Sequence, residues 1–287
     1  MRRNILILTP DPADSMFNGR WRDILADLVR CLTPFDINVD HAPWTKKLQN
    51  TPGSSDLVLP LLAWGYQKTI PLWFKTCTEW QNSGIPIQNP PQILKWNTDK
   101  HYLEQLTERG ASVVPSFYCD KISYAKLKEA VAIFGVDKVV LKPTVSATAY
   151  KTSVWEDGRS VTDPPDGPCI IQPYLSSIET EGEISLIFVN GQFSHALRKK
   201  PLAGDFRVQP EFGGCLTPCV PDQSAIKTAE KIHAHIDDSL LYARIDLVLG
   251  DDNRWLLLEA ELIEPDLFLG FDKKNGELLG EAIRQQI

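Results

Sequence analysis

The residues of this chain best suited to chemistry lie near its C-terminal end. They sit on two strand-like segments, Tyr242 to Leu249 and Trp255 to Ile263, that flank Gly250-Asp251-Asp252-Asn253-Arg254. Asp252 and Asn253 both tolerate positive φ, so a two-residue turn there is chemically sensible. That register sets Asp246 opposite Glu259 and Arg244 opposite Glu261. The other face then holds Ala243, Ile245, Leu247 and Leu249 against Leu256, Leu258, Ala260 and Leu262, wholly apolar as a core face should be. A slip of one residue would push charges into that face, so the pattern itself selects the register. Like charges directly opposed across a ladder are destabilising. A divalent cation between the carboxylates removes that cost, and magnesium prefers such hard oxygens together with phosphate and water. The plainer alternative is a solvated acidic patch, which is how Asp251 and Asp252 read.

A second ribbon carries further candidates. Glu183 to Val189 and Gln192 to Lys199 meet at Asn190-Gly191, the strongest short signal for a type I′ hairpin turn. The turn pairs Val189 with Gln192, and counting back brings Glu183 opposite Arg198. One face is then Ile184, Leu186 and Phe188 against Phe193, His195 and Leu197; the other is Glu183 and Ser185 against Ala196 and Arg198. Taken alone, the acid and the guanidinium read as an exposed ion pair. Lys142 ends the apolar run Val139-Val140-Leu141 and precedes Pro143, which keeps it extended at a sheet end. Lys100 lies in the first turns of a helix. Each lysine alone reads as solvated surface; beside a carboxylate–metal cluster they would clamp phosphate. Between Thr144 and Thr152 the small residues around Ser146 could approach phosphate oxygens with amide and hydroxyl donors.

The elements that must position these groups divide the chain. Strand and helix signals alternate at first: Ile5 to Leu8, Trp21 to Leu32, Leu57 to Leu59, and Ile70 to Trp80 ended by Gly84 and Pro86. This is the pattern of a small parallel α/β lobe, and Asn89-Pro90-Pro91 is a plausible boundary. The spacing predicts a helix from Asn97 to Arg109, capped by Asn97 or Thr98 and stopped by Gly110. A helix over Tyr124 to Phe134, a buried strand over Val139 to Leu141 and a loop over Gly158 to Pro168 follow. Strands dominate from Ile170 to Ile263, apart from a helix near Ser224 to His235. The fold class is therefore α/β passing into α+β. The run from Asp56 to Tyr66 lies at a strand end of the first lobe, where ligands sit in α/β sheets. Trp64 and Tyr66 could line an acceptor pocket there or simply pack in the core.

Bulk properties exclude several classes. The 287 residues are 43% hydrophobic and 23% charged, enough for two or three lobes with a sizeable core. A net charge of −7 argues against a nucleic-acid groove. No apolar run approaches the roughly 20 residues of a membrane span. Met1-Arg2-Arg3 begins like a secretion signal, but the apolar run after it meets Pro10 and Asp11 at once and reads as a first strand. The six cysteines are scattered and none completes a zinc site, so free thiols and a cytoplasmic compartment are expected.

Taken in order, these segments resemble the ATP-grasp superfamily, above all its glutathione-synthetase-type members and the cycloserine-forming cyclo-ligase group. The matching pieces are Asn97-Thr98-Asp99-Lys100, Val140-Leu141-Lys142-Pro143, Ile171-Gln172-Pro173-Tyr174-Leu175 and Glu183-Ile184-Ser185-Leu186-Ile187-Phe188. Leu197-Arg198-Lys199-Lys200-Pro201, Ala243-Arg244-Ile245-Asp246 and Leu258 to Pro265 complete the set. The resemblance runs from about residue 90 to 269. It implies an N-terminal lobe over 1–92, a central and lid lobe over 93–178, and a C-terminal lobe with the metal site over 179–287. It implies ATP with two magnesium ions (manganese could substitute), small-molecule carboxylate and amine substrates, an acyl-phosphate intermediate, and a homodimer as one option. Lys100 and Lys142 would hold the α and β phosphates, and Gln172, Tyr174 and Leu175 the adenine. Glu183 would accept the ribose hydroxyls, with Glu179 as second candidate. Arg198 would grip the transferred phosphoryl group, and Arg244 and Arg207 would orient the acceptor. Asp246, Glu259 and Glu261 would ligate magnesium. Two features depart from the pattern: many relatives have Asn where Glu261 stands, and residues 144–152 hold no glycine. A non-catalytic nucleotide-binding module and a calcium-binding interaction domain are the alternatives from other functional classes.

Overall fold

The computed structural model describes residues 3–14, 19–48, 55–236 and 238–287. Ile5, Leu6, Ile7 and Leu8 are all buried, the continuous apolar run of a strand covered on both faces. They lie in β1 (Arg3–Thr9), which is parallel to β2 (Ile37–Pro43) and β3 (Leu57–Leu59) in the order β2-β1-β3. α1 (Arg20–Leu32) makes the crossover to β2 and buries Leu28, Cys31 and Leu32. Asn38, Asp40 and His41 break the apolar pattern of β2, an edge strand, and hide it from a reading based on hydrophobic runs. α2 (Ile70–Ser83) has Pro71 in its first turn and ends at Gly84, whose φ of 70° is the left-handed cap. Its Trp73 is enclosed by Tyr66, Trp44 and Trp80, with ring centres 4.8, 5.5 and 5.7 Å away.

The helix expected from Asn97 to Arg109 is two helices, α3 (Pro91–Asn97) and α4 (Tyr102–Glu108). The break has a tertiary cause. The Asn97 side chain donates to the Ala260 carbonyl at 2.8 Å and accepts from the Leu262 amide at 2.9 Å. The Lys100 amide donates to the Thr144 carbonyl at 2.9 Å. Neither Asn97 nor Thr98 caps a helix start; the segment between the helices is given over to the site.

A four-stranded antiparallel sheet follows: β4 (Phe117–Cys119), β5 (Lys138–Pro143), β6 (Ser153–Glu156) and β7 (Cys169–Pro173), in the order β4-β7-β5-β6. α5 (Tyr124–Phe134) covers it with Leu127, Ala130 and Val131. After the short α6 (Ser177–Thr180), a five-stranded antiparallel sheet is built from β8 (Glu183–Val189), β9 (Gln192–Lys200), β10 (Cys215–Pro218), β11 (Tyr242–Leu249) and β12 (Trp255–Glu261). Its order is β10-β9-β8-β11-β12. α7 (Gln223–Ala234) packs on one face of it. On the other face Ile187, Val189, Leu197 and Tyr242 pack with the N-terminal lobe and α8 (Glu277–Gln286). Asn89, fully buried at the expected boundary, pins the two together. Its amide donates to the carbonyls of Tyr242 and Leu262 at 2.9 and 2.8 Å and accepts from the Leu241 amide at 2.9 Å.

Both functional ribbons carry a register shift that changes which side chains meet. Asn190 and Gly191 have φ of 46° and 74°, and Val189 pairs with Gln192 as expected. Then Ser194 bulges out: Phe188 pairs with Phe193 but Ile187 with His195. From there Glu183 faces Lys199, and Arg198 faces Ile184. The expected Glu183–Arg198 pairing is therefore wrong by one residue, because a bulge inverts the facing of everything beyond it. His195 likewise leaves the Leu186 face, and its Nε2 meets the Leu267 carbonyl at 2.9 Å. In the second ribbon Asp246 does face Glu259 and Arg244 does face Glu261. Leu258 is the bulged residue, so Leu247 pairs with Leu257, and Leu249 with Trp255. The tip is thus the five-residue loop 250–254, not a two-residue turn, and Leu257 takes the core position expected of Leu258. Among the described residues no helix is long and apolar enough to cross a membrane.

Candidate active site

A cavity of about 470 Å³ lies where the three sheets converge. Strand ends aim the polar groups into it. β5 delivers Lys142, β7 delivers Gln172 and leads into Tyr174 and Leu175, β8 opens with Glu183, and β9 closes with Lys199. β11 and β12 contribute Arg244, Asp246, Glu259 and Glu261, and the Leu258 bulge turns that side chain to the cavity wall.

The charges form one connected chain. Lys199 Nζ lies 2.7 Å from Glu183 Oε1 and 3.2 Å from Asp246 Oδ2. Arg244 Nε reaches the two Asp246 oxygens at 3.1 and 3.2 Å, and its terminal nitrogen binds Glu261. Ser185, opposite Asp246 on β8, donates to the same carboxylate. Lys199 and Arg244 are each 6% exposed and Asp246 3%, so these ions survive burial only because each is paired and hydrogen-bonded. Burial alone would raise the Asp246 carboxyl, but the Arg244 and Lys199 cations outweigh it and hold the group down at about 2. Glu261 goes the other way: burial, reinforced by Asp246 and Glu259, overcomes Arg244 and pushes it up to about 7.

Two further lysines face the same space. Lys100 Nζ is 3.2 Å from Glu259 Oε1 and 3.2 Å from both the carbonyl and the hydroxyl of Ser146. Lys142 has no ion-pair partner among the described residues; burial lowers its pKa, Glu259 opposes that, and the nearby Lys100 adds to it. Two cations set close together, one of them without a direct ion pair, favour an anionic ligand. Gln172 donates to Ser116 Oγ at 3.0 Å, while its buried Oε1 finds no donor. The buried Oε1 of Gln209 is unmatched in the same cavity. Both are buried acceptors open to a donor from a ligand.

Twelve of the expected site residues line this cavity: Lys100, Lys142, Ser146, Gln172, Tyr174, Leu175, Glu183, Arg207, Arg244, Asp246, Glu259 and Glu261. Arg207 is held by Asp205 at 2.7 Å and stacks on Phe212, 3.8 Å from the ring centre. Glu179 is not in the wall; it is bound by the Tyr174 hydroxyl. Arg198 is not in the wall either, since the β9 bulge turns it away to the backbone carbonyl of Glu181, with the Glu181 carboxylate at 3.4 Å. Lys199 takes the place expected of Arg198. Its only sequence signal was the Arg198-Lys199-Lys200 run itself, because a bulge at Ser194 leaves no mark in hydrophobic alternation. Phe268 was also missed. It sits at φ 49°, and its ring lies 5.7 Å from Lys199 Nζ and 5.5 Å from the Arg244 guanidinium carbon.

For magnesium the donor chemistry fits in part. Asp246, Glu259 and Glu261 lie on one face of the ribbon in the cavity wall. Glu261 resists ionisation beside the other two acids, a cost that a divalent cation would relieve. Among the described residues, however, no three acidic, His or Cys side chains are gathered closely enough to enclose an ion; Arg244, Lys199 and Lys100 hold the carboxylates instead.

No family model matches the chain. It is 28% identical over 218 residues to the cycloserine biosynthesis protein DcsG of Streptomyces lavendulae, covering 69% of this chain and 72% of that one. It is 23% identical over 214 residues to a glutathione synthetase of Prochlorococcus marinus, covering 71% and 65%. Among solved structures, D-cycloserine synthetase DcsG superposes with a TM-score of 0.82 at 21% identity over 98% of this chain and 99% of that one. The ATP-grasp ligase PsnB, complexed with a precursor variant, Mg and ADP, superposes with a TM-score of 0.67 at 15% identity, over 99% and 98%. The likeness spans all three sheets, and the fold class expected from the sequence holds.

Proposed function

We propose that this chain, an ATP-grasp protein by fold and glutathione-synthetase-like in sequence, is an ATP- and magnesium-dependent ligase. It activates a carboxylate as an acyl phosphate and forms a C–N bond with an amine, on an amino acid or a small amino-acid derivative. The observation that carries this reading is the buried chain Glu183–Lys199–Asp246–Arg244–Glu261 beside Lys100 and Lys142 in one cavity. The 28% identity to DcsG and the shared fold support the reaction class.

The residues divide the work. Lys142, unpaired, and Lys100 bind phosphate oxygens. Gln172 offers its unmatched oxygen to the adenine amino group, with Tyr174 and Leu175 walling the base. Asp246, Glu259 and Glu261 would hold magnesium, which when bound offsets phosphate charge and orients the phosphates. A carboxylate oxygen of the substrate attacks the γ-phosphorus and ADP leaves; the amine then attacks the acyl carbon and phosphate leaves with that oxygen. Arg244 and Lys199, locked in place by Asp246, are fixed positive charge where negative charge develops. Positioning and electrostatics suffice for such a transfer. Arg207 faces the cavity from the loop after β9 and would steady the acceptor. Joining two molecules and closing a ring within one are both open to this chemistry.

The test is phosphate release from Mg·ATP across a panel of amino acids and derivatives. The reading expects release only with a competent substrate, and its loss in Glu259→Gln. ATP binding without release under every substrate would mark a non-catalytic nucleotide module. A thermal shift with calcium alone, and none with Mg·ATP, would mark a calcium-binding domain.

A further inference from the structure

At the end of β12 and just after it the chain places three acids in the cavity wall: Glu261, Glu264 and Asp266. Two are matched. Glu261 is bound by Arg244, and Asp266 lies 3.3 Å from Arg20 and accepts from the Phe268 amide. Among the described residues Glu264 has no ion pair, and its carboxyl group meets only its own backbone amide. The wall around it is aromatic: Trp64, Tyr66 and Phe268 all line this end. Trp64 Nε1 donates to the Glu264 carbonyl at 3.4 Å, stitching the loop after β3 to the loop after β12. Glu264 is also the acid whose charge acts most strongly on Tyr66.

Two more acceptors at this end lack donors. Tyr66 is 6% exposed, with its ring packed on Trp73, and lines the cavity; among the described residues its hydroxyl makes no hydrogen bond. The next residue, Gln67, buries an amide oxygen with no donor. A carboxylate without a cation, a hydroxyl and an amide oxygen, set among aromatic faces, match one kind of group. A primary ammonium brings positive charge, three N–H donors and an affinity for aromatic rings. An anionic or purely apolar ligand would leave all three acceptors unmatched.

We propose that this end of the cavity is a receptor for the primary ammonium group of the substrate, with Glu264 as its counter-ion and Tyr66 and Gln67 as its hydrogen-bond acceptors. The inference rests on the ligase reading and narrows it: the substrate whose carboxylate is activated also carries a free amine that is read before reaction. Des-amino and hydroxy analogues of the same size are then rejected at binding, and the small aromatic enclosure limits what surrounds the amine. Burial holds the Glu264 carboxyl well above its ordinary range in the free protein, as a counter-ion awaiting its cation would be.

The experiment uses the full chain loaded with ADP and magnesium. Binding of alanine, serine and their hydroxy-acid counterparts lactate and glycerate, each enantiomer separately, is measured by calorimetry, alongside phosphate release with ATP. Wild type is expected to prefer an amino acid over its hydroxy counterpart by about tenfold or more. Glu264→Gln is expected to erase that preference, raising KM for the amino acid while leaving KM for ATP unchanged. The variant is isosteric and replaces a carboxyl group that burial already biases toward its neutral form, so its Tm is expected to stay close to that of wild type. Equal binding of amino and hydroxy acids by wild type, or an unchanged preference in Glu264→Gln, overturns the proposal, as does failure of every amine to bind. Amine-selective binding without phosphate release would leave the ammonium site standing and remove the ligase reading alone.

Discussion

Two neighbouring residues of β9 make opposite predictions. Lys199 bridges Glu183 and Asp246 inside the protein, whereas Arg198 meets Glu181 near the surface. Removing Lys199 strands two buried carboxylates, so Lys199→Ala should cost about 3–5 kcal/mol in urea denaturation and abolish ATP turnover. Arg198→Ala should cost less than about 1 kcal/mol and leave turnover near wild type. The reverse pattern would mean that the unbulged register is correct. The same network makes Asp246→Asn a poor test of metal binding, since it also unpairs Lys199 and Arg244; Glu259→Gln, which unpairs Lys100 alone, is the cleaner variant. Stability should follow pH in two windows. The Asp246 carboxyl, depressed to about 2 in the folded chain, contributes stability present above its unfolded value near pH 4 and lost as pH falls through about 2. Glu261, raised to about 7, binds its proton more tightly folded than unfolded. Its contribution is therefore full below pH 4.5 and is lost as pH rises through 7. Urea midpoints of the magnesium-free protein should decline over that upper window, and Glu261→Gln should flatten the decline.

At the scale of the elements, the site depends on where strands begin and where they bulge. Gly182 precedes β8 at φ 75°, and a Cβ there would stand 2.2 Å from the Lys199 carbonyl oxygen. Gly182→Ala must therefore move the end of β9 as well as strain its own backbone. A loss of roughly 1–3 kcal/mol is expected, with a rise in KM for ATP out of proportion to the stability change. The ribbons also show what the sequence could and could not reveal. The Asn190-Gly191 turn and the pairings of Asp246 with Glu259 and Arg244 with Glu261 were legible, because turn chemistry and an all-apolar opposite face constrain them. The bulges at Ser194 and Leu258 were not, since Leu256, Leu257 and Leu258 are alike enough for either register and Ser194 beside His195 offers no apolar alternation to fix the count. Lys199 was overlooked for Arg198, and the loop 250–254 was read as a tighter turn, for that reason. The split between α3 and α4 was illegible because Asn97 and Lys100 spend their hydrogen bonds on β12 and on Thr144, partners more than forty residues away.

For the whole molecule, three sheets of different origin in the chain close on one cavity, and no single lobe holds the site. Alternation of strands and helices, then strands alone, made the α/β to α+β order legible. The edge strand β2 escaped because its polar residues mask the run. Asn89 joins the first lobe to the large sheet through four buried hydrogen bonds. Asn89→Ala should lower stability by about 1–3 kcal/mol or more, with a fall in Tm, because backbone groups on both sides lose partners. ADP with magnesium should raise Tm in proportion to its saturation of the cavity, and Lys142→Ala should weaken that rise without lowering the Tm of the free protein.

In the proposed reaction a substrate carboxylate attacks the γ-phosphoryl group of ATP in this cavity. Oxygen-18 in the carboxylate of an accepted amino acid tests it directly. One labelled oxygen is expected in the phosphate released per turnover. Phosphate released without the label would contradict it, because the oxygen would then have come from water.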